Sequence, residues 1–184
     1  MSRIGYRIDA SESRHVNEFL NGTPDPSAFS GGGNFTAFFR NIRAANTILA
    51  ALPGATAEFS AQQKSAASGL VKTLKAIDYY KALEYRDTLG IPYAVEGALG
   101  TALAPIVCKQ KVLANISALL DSANSDLLAG GATFPGMLPR GYAGFDTPAT
   151  FAKFNRGWKG KVELYRALDH AAPTGAAGFT SALT

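Results

Sequence analysis

A chain of 184 residues, 47% hydrophobic and 17% charged, is long enough to bury its own core and is not composed like a disordered segment. Its net charge of +4 is dispersed without a basic run, which argues against the stripe of cations expected in a nucleic-acid binder. One cysteine, Cys108, and two histidines at opposite ends, His15 and His170, exclude an internal disulfide and leave no ligand set for a structural zinc, so no metal or cofactor is expected. No apolar run approaches the ~20 residues of a membrane span. The start, Met1 to Tyr6, lacks the apolar stretch of a signal peptide.

Residues 1–34 are rich in loop formers, with turn clusters at Asn21 to Pro26 and at Gly31 to Asn34. Helical spacing of Phe35, Phe38, Ile42, Ala45, Leu49 and Leu52 predicts a first helix over 35–52, ended by Pro53-Gly54. Ser60-Ala61-Gln62-Gln63 has the form of a capping box and opens a second helix, 60–89. Its main stripe is read as Ala67, Val71, Leu74, Ala82, Tyr85 and Leu89, with Gly90 as left-handed terminator and Pro92 beyond it. Tyr79, Tyr80 and Leu83 point away from that stripe, and a helix apolar on more than one side is usually sandwiched.

A linker over 91–104 leads to a third helix, 105–128, with a stripe of Cys108, Val112, Ile116, Leu119, Leu120, Ala123 and Leu127. A loop follows over 129–146. Thr147-Pro148 then supplies an N-cap and a first-turn proline for a fourth helix, 147–169. Phe151, Phe154, Trp158, Val162 and Tyr165 form its aromatic stripe, and Gly157 and Gly160 suggest close approach of another backbone. Residues 170–184 read as a break followed by the start of a further helix. No segment alternates with period two. The expected fold is all-α: a four-helix core over 35–169, in helical hairpins with long loops, within one incomplete domain spanning 1–184. The layering suggests a tetratricopeptide-like array, although no clean ~34-residue repeat is visible.

Few residues suggest chemistry. Asp78 lies near the middle of an apolar face, where a general acid or base with a shifted pKa is conceivable but a core ion pair or a hydrogen bond to a neighbouring helix is expected. Glu84 and Asp87 share a face at i, i+3, which could hold a sugar or a metal but reads as an exposed charged surface. Ser30 to Asn34 precedes a helix without the Lys-Ser/Thr of a phosphate loop and reads as a surface turn. Cys108 reads as a small buried hydrophobe. Tyr93, Phe134, Tyr142 and Phe145 lie on predicted loops and either stack on a sugar or anchor those loops. No nucleophile–base pair is present, so no catalytic residue is assigned and the chain is not expected to be an enzyme.

Arg40 to Leu49, Gly69 to Ala76 with Arg86 to Pro92, Leu113 to Leu127 and Phe151 to Leu168 are four collinear segments that nevertheless resemble those of the SusD/RagB family. Arg40 to Leu49 looks like its "YR-x-I-x-x-A-N-x-x-L" helix, and Gly69 to Ala76 with Arg86 to Pro92 resembles its second helix and "G-x-P" exit. Leu113 to Leu127, containing Leu119-Leu120-Asp121-Ser122-Ala123, resembles "I-x-x-L-L-D-S-A-x-x-D-L". Phe151 to Leu168, containing Asn155-Arg156-Gly157-Trp158, resembles the entry to a further repeat. Together these cover roughly 35–168. The resemblance implies a lipid-anchored, surface-exposed outer-membrane protein that binds glycans or other nutrients without turning them over. It implies the role of a lid on a TonB-dependent, SusC-like transporter. The family's lipid-bearing cysteine has no counterpart, which implies an internal fragment, and no ligand-binding residue carries over. The competing expectation is an intracellular tetratricopeptide scaffold that binds peptides. Trp158 is expected between helices, where truncation to alanine would cost ~3–5 kcal/mol.

Overall fold

The computed structural model describes residues 25, 32–55, 57–98, 100 and 102–168. The turn cluster at 21–26 (Asp25 apart), His15, His170 and the expected helix start at 170–184 lie outside the described residues. The chain divides into two units, Met1–Ala37 and Phe38–Thr184. In the first, the described part is Asp25 and the opening of a helix, where the Thr36 hydroxyl donates to the Gly33 carbonyl at 3.0 Å.

Among the described residues four helices carry the fold, as expected: α1 (Gly32–Ala51), α2 (Ala61–Arg86), α3 (Lys109–Leu128) and α4 (Pro148–Leu168). Short 3-10 turns at Leu52–Gly54, Asp87–Leu89 and Arg140–Tyr142 connect them. Among the described residues the only sheet is a two-residue antiparallel ladder, β1 (Ile91–Pro92) with β2 (Ile106–Val107). The fold is all-α.

The ends follow the capping chemistry. At the start of α2 the Ser60 hydroxyl accepts from the Gln63 amide at 3.2 Å, and the Gln63 side chain accepts from the Ser60 amide at 3.0 Å. At α4 the Thr147 hydroxyl accepts from the Thr150 amide at 3.2 Å. Gly90 takes φ +67°, and a Cβ there would strike the Val107 carbonyl, so glycine is required twice over.

Successive helices run antiparallel, as the pairing of their residues shows. Lys64 donates to the Pro53 carbonyl while Asn41 reaches Asp78, joining α1 to α2. Lys72 meets Asp126 at 2.7 Å and Lys109 meets Asp87 at 2.5 Å, joining α2 to α3. Arg156 meets Asp121, and Glu163 meets Ser117, joining α3 to α4.

Of the stripe predicted for α2, Ala82 is buried and Ala67, Val71 and Leu74 are partly so, but the main buried face is another. Ala66, Gly69, Thr73, Ala76, Tyr80 and Leu83 are buried, at alternating spacings of three and four, whereas Tyr85 and Leu89 are exposed. On α3 the matching seam is Leu113, Ile116, Leu120, Ala123 and Leu127. Small residues on one helix let large ones on the other fill the space between them. The sandwich expected for α2 is present: Tyr79 packs edge-on against Phe39 of α1, with ring centroids 6.5 Å apart, and Tyr80 against Trp158 of α4.

Four further expectations need correction. Helix α3 begins at Lys109, not 105, because residues 106–107 pair with the Ile91–Pro92 strand. Cys108 is consequently the N-cap of α3, exposed and off its apolar seam. Gly32 to Asn34 form the first turn of α1 rather than a surface turn. Gly157 has open space where a Cβ would stand, so no backbone packs there.

The close approach is at Gly69, where a Cβ would lie 2.6 Å from the Leu127 side chain and 2.7 Å from the Ala123 carbonyl. Gly69→Ala gains about 1 kcal/mol of helix propensity but must push α3 away, at about 1–3 kcal/mol. Because one obstacle is backbone, a net loss in denaturant unfolding is expected; a raised midpoint would show that the α2–α3 seam has slack.

Candidate functional site

Two polar features stand out against this apolar scaffold. The first is a ladder between α3 and α4. Glu163 is 1% exposed, and its carboxylate accepts from the Ser117 hydroxyl at 2.5 Å, from Arg166 at 2.7 and 2.8 Å, and lies 3.2 Å from Lys159. Lys159 also donates to Asp121 at 2.6 Å. Asp121 accepts from Arg156 at 2.8 Å, and Arg156 in turn donates to the side-chain carbonyl of Asn155. Asn155, fully buried, donates to the Thr73 hydroxyl at 2.8 Å, which donates to the Gly69 carbonyl at 2.8 Å. Burial alone would raise the Glu163 carboxyl, but hydrogen bonds from Ser117, Arg166 and Lys159 outweigh it and hold the group below its ordinary value. Asp121 is lowered in the same way, its desolvation overcome by Lys159 and Arg156. Every member has a partner, which marks a structural network.

The second feature is a groove of about 520 Å³. Ala44, Ala45 and Ile48 of α1 form one wall, and Val71, Leu74 and Ile77 of α2 the other. Tyr142, Phe154 and Trp158 close one end with aromatic rings. Asn41, Lys75 and Asp78 are its polar residues. The Asn41 amide donates weakly to Asp78 at 3.4 Å. Burial raises the Asp78 carboxyl above its ordinary value, and the Asn41 bond offsets this only in part.

Asp78 is the one sequence-flagged carboxylate that lies in the groove; it has the expected hydrogen bond to a neighbouring helix, through Asn41 of α1, but is half-buried rather than in the core. Glu84 and Asp87 do not converge. Glu84 pairs with Lys81 at 2.7 Å and Lys161 at 3.7 Å, while Asp87 pairs with Lys109. Among the described residues no three potential metal ligands come together. The loop aromatics are anchors: Tyr93 stacks on Tyr79 at 4.4 Å, Phe134 packs on Phe151, and Phe145 on Phe154. Tyr142 is also an anchor, packing on Phe151 and Phe154, and it lines the groove as well.

Trp158 corrects its expectation. It is partly exposed, with one edge on Tyr80 and with Lys161 and Lys81 lying 5.1 and 5.9 Å from its ring centre. Sequence reading missed the Glu163 network altogether. Its only signal was a glutamate beside Val162, on a helix whose stripe was drawn from apolar residues alone.

Three substitutions separate these roles. Trp158→Ala is expected to cost about 1–2 kcal/mol, in line with partial burial; a loss above about 3 would restore the fully buried reading. Glu163→Gln should cost about 3 kcal/mol by leaving a buried cluster of cations short of a countercharge. Glu163 contributes stability above the unfolded glutamate range and loses it as pH falls through its own lower value. Asp78 has the opposite sign: its ionisation removes stability as pH rises from the unfolded aspartate range through its raised folded value. Asp78→Asn should therefore raise the melting temperature at neutral pH while Glu163→Gln lowers it; thermal unfolding at neutral and acid pH checks both. Comparison of the chain with protein-family models, with curated proteins and with solved structures found no match in any of the three.

Proposed function

We propose that this chain is the helical part of a SusD-like, surface-exposed binding protein that holds glycans or other nutrients without catalysis and acts as a lid on a SusC-like, TonB-dependent transporter. The observation that carries the binding part is the groove. Its aromatic end offers apolar ring faces of the kind that stack on sugars, and Asp78 and Asn41 offer hydrogen-bonding groups beside them. Few convergent polar groups on an apolar surface are what a ligand site requires, and no nucleophile with a base lies among them. The family part rests on the order of the four motifs, one on each of α1 to α4. Antiparallel helical hairpins are also the building unit of a tetratricopeptide-like array, which belongs to the same proposal.

A lid needs something to cover. No helix among the described residues is long and apolar enough to cross a membrane. In this reading transport is the partner's task. An interface of standard size takes ~800 Å² from each partner, so the chain alone should hold the transporter more weakly than the full-length protein does. The test is recovery of full-length protein from solubilised outer membranes and identification of what comes with it. A large TonB-dependent barrel is the expected companion. Recovery from the cytosol, without lipid and with a peptide-bearing partner, would replace this reading with the scaffold one.

A further inference from the structure

The charges around the groove are unevenly matched. Lys75, on its wall, donates to Glu96 at 2.7 Å. Lys81 and Lys161, beside Trp158, share Glu84. Asp78, half-buried between aliphatic walls, receives only the Asn41 amide at 3.4 Å among the described residues. An ionised carboxylate taken from water without a counterion destabilises the fold, and elsewhere the chain avoids this: Asp121, Asp126 and Glu163 each face at least one cation. The raised carboxyl of Asp78 agrees with the missing countercharge.

The missing partner of Asp78 is therefore a cation or a strong donor that enters the groove. A cavity of about 520 Å³ falls within the range of about 300–1,000 Å³ typical of small-molecule sites. Its aromatic end suits a ring with an apolar face. Resting on the nutrient-binding reading above, we propose that the groove selects amino sugars, with the protonated amine of a hexosamine unit bound by Asp78 and Asn41 and its ring face set against Tyr142, Phe154 and Trp158. A charge-assisted hydrogen bond from the ammonium replaces the weak contact to Asn41 as the main one on the carboxylate. An acidic sugar is repelled by the same group. The net charge of +4 disfavours unspecific attraction of a polycation, so a preference for amines would have to arise locally.

The experiment is calorimetric titration of the 184-residue chain and of its Asp78→Asn and Asp78→Ala variants, each first shown to be folded by circular dichroism. The ligands are a glucosamine tetramer, its fully N-acetylated counterpart and a galacturonate tetramer, at a pH where the free amines are protonated. The expected result is a preference of about tenfold or more for the glucosamine tetramer over the acetylated one, no binding of the galacturonate, and loss of the preference in both variants; tenfold corresponds to about 1.4 kcal/mol. Equal affinities in the unchanged chain, or a preference that survives both substitutions, would overturn the amine assignment and leave glycan binding standing. If no tetramer binds while a lysine-bearing amphipathic peptide does, and Asp78→Asn abolishes that, the glycan reading itself falls in favour of the peptide scaffold.

Discussion

Everything between α3 and α4 depends on one buried carboxylate. Glu163 sits in a helix interface with two cations and one hydroxyl around it, and removing its charge would leave Lys159 and Arg166 facing each other across Ser117. From there the ladder passes through Asp121 and Arg156 to Asn155, and across to Thr73 in the middle of α2. Three helices are thus held in one register by groups that tolerate little displacement, since a hydrogen bond is lost within a few tenths of an ångström. Apolar seams alone would permit a one-turn slip, because residues of similar size recur every three or four positions. Polar groups that must find named partners remove that freedom.

This gives physical content to the motifs that suggested a family. In the α1 motif, Ile42 and Ala45 are core, while Arg43 and Asn46 donate to the Val95 carbonyl and pin the loop after α2. In the α3 motif, Leu120 and Ala123 are core and Asp121 takes two cations from α4. In the α4 motif, Asn155, Arg156, Lys159 and Glu163 are the ladder. The motif residues therefore specify how helices meet. They speak first to architecture, although the α1 and α4 segments also supply Asn41, Phe154 and Trp158 to the groove, beside Asp78 from outside the motifs.

The legible part of the fold was the part set by local chemistry. Caps at Ser60 and Thr147, the stop at Gly90 and the helical periods are written within a few residues of where they act. What was misread depends on partners distant in sequence. The burying face of α2 is built of Ala66, Gly69, Thr73 and Ala76, which score as weakly apolar and lost to the larger Val71, Leu74, Tyr85 and Leu89. Their spacing was visible, but only the close approach of α3 makes small residues the buried ones. Cys108 was assigned to a helix because nothing local announces that Ile106 and Val107 will pair with Ile91 and Pro92. Of the site, Asp78, Tyr142, Phe154 and Trp158 are each visible in the sequence, but their convergence on one groove, and the Asn41 contact, draw on three other segments and have no local signal.

The ladder and the groove also divide the molecule energetically. Along the ladder every charge is answered, so ionisation and folding support one another. In the groove the sign reverses: Asp78 is worse off folded than unfolded, and the fold carries that cost. A chain selected for stability alone could place a leucine or an asparagine there without disturbing the seam, since Asp78 packs against neither α3 nor the ladder's residues through any ion pair. Local destabilisation beside a rigid, fully satisfied network is what the proposed ligand site would require, with the countercharge supplied by the bound amine. The ladder fixes α2 and α4, and with them two sides of the groove, so that under the proposed amine-binding role the carboxylate and the aromatic end would be in place beforehand and little ordering would remain to oppose binding.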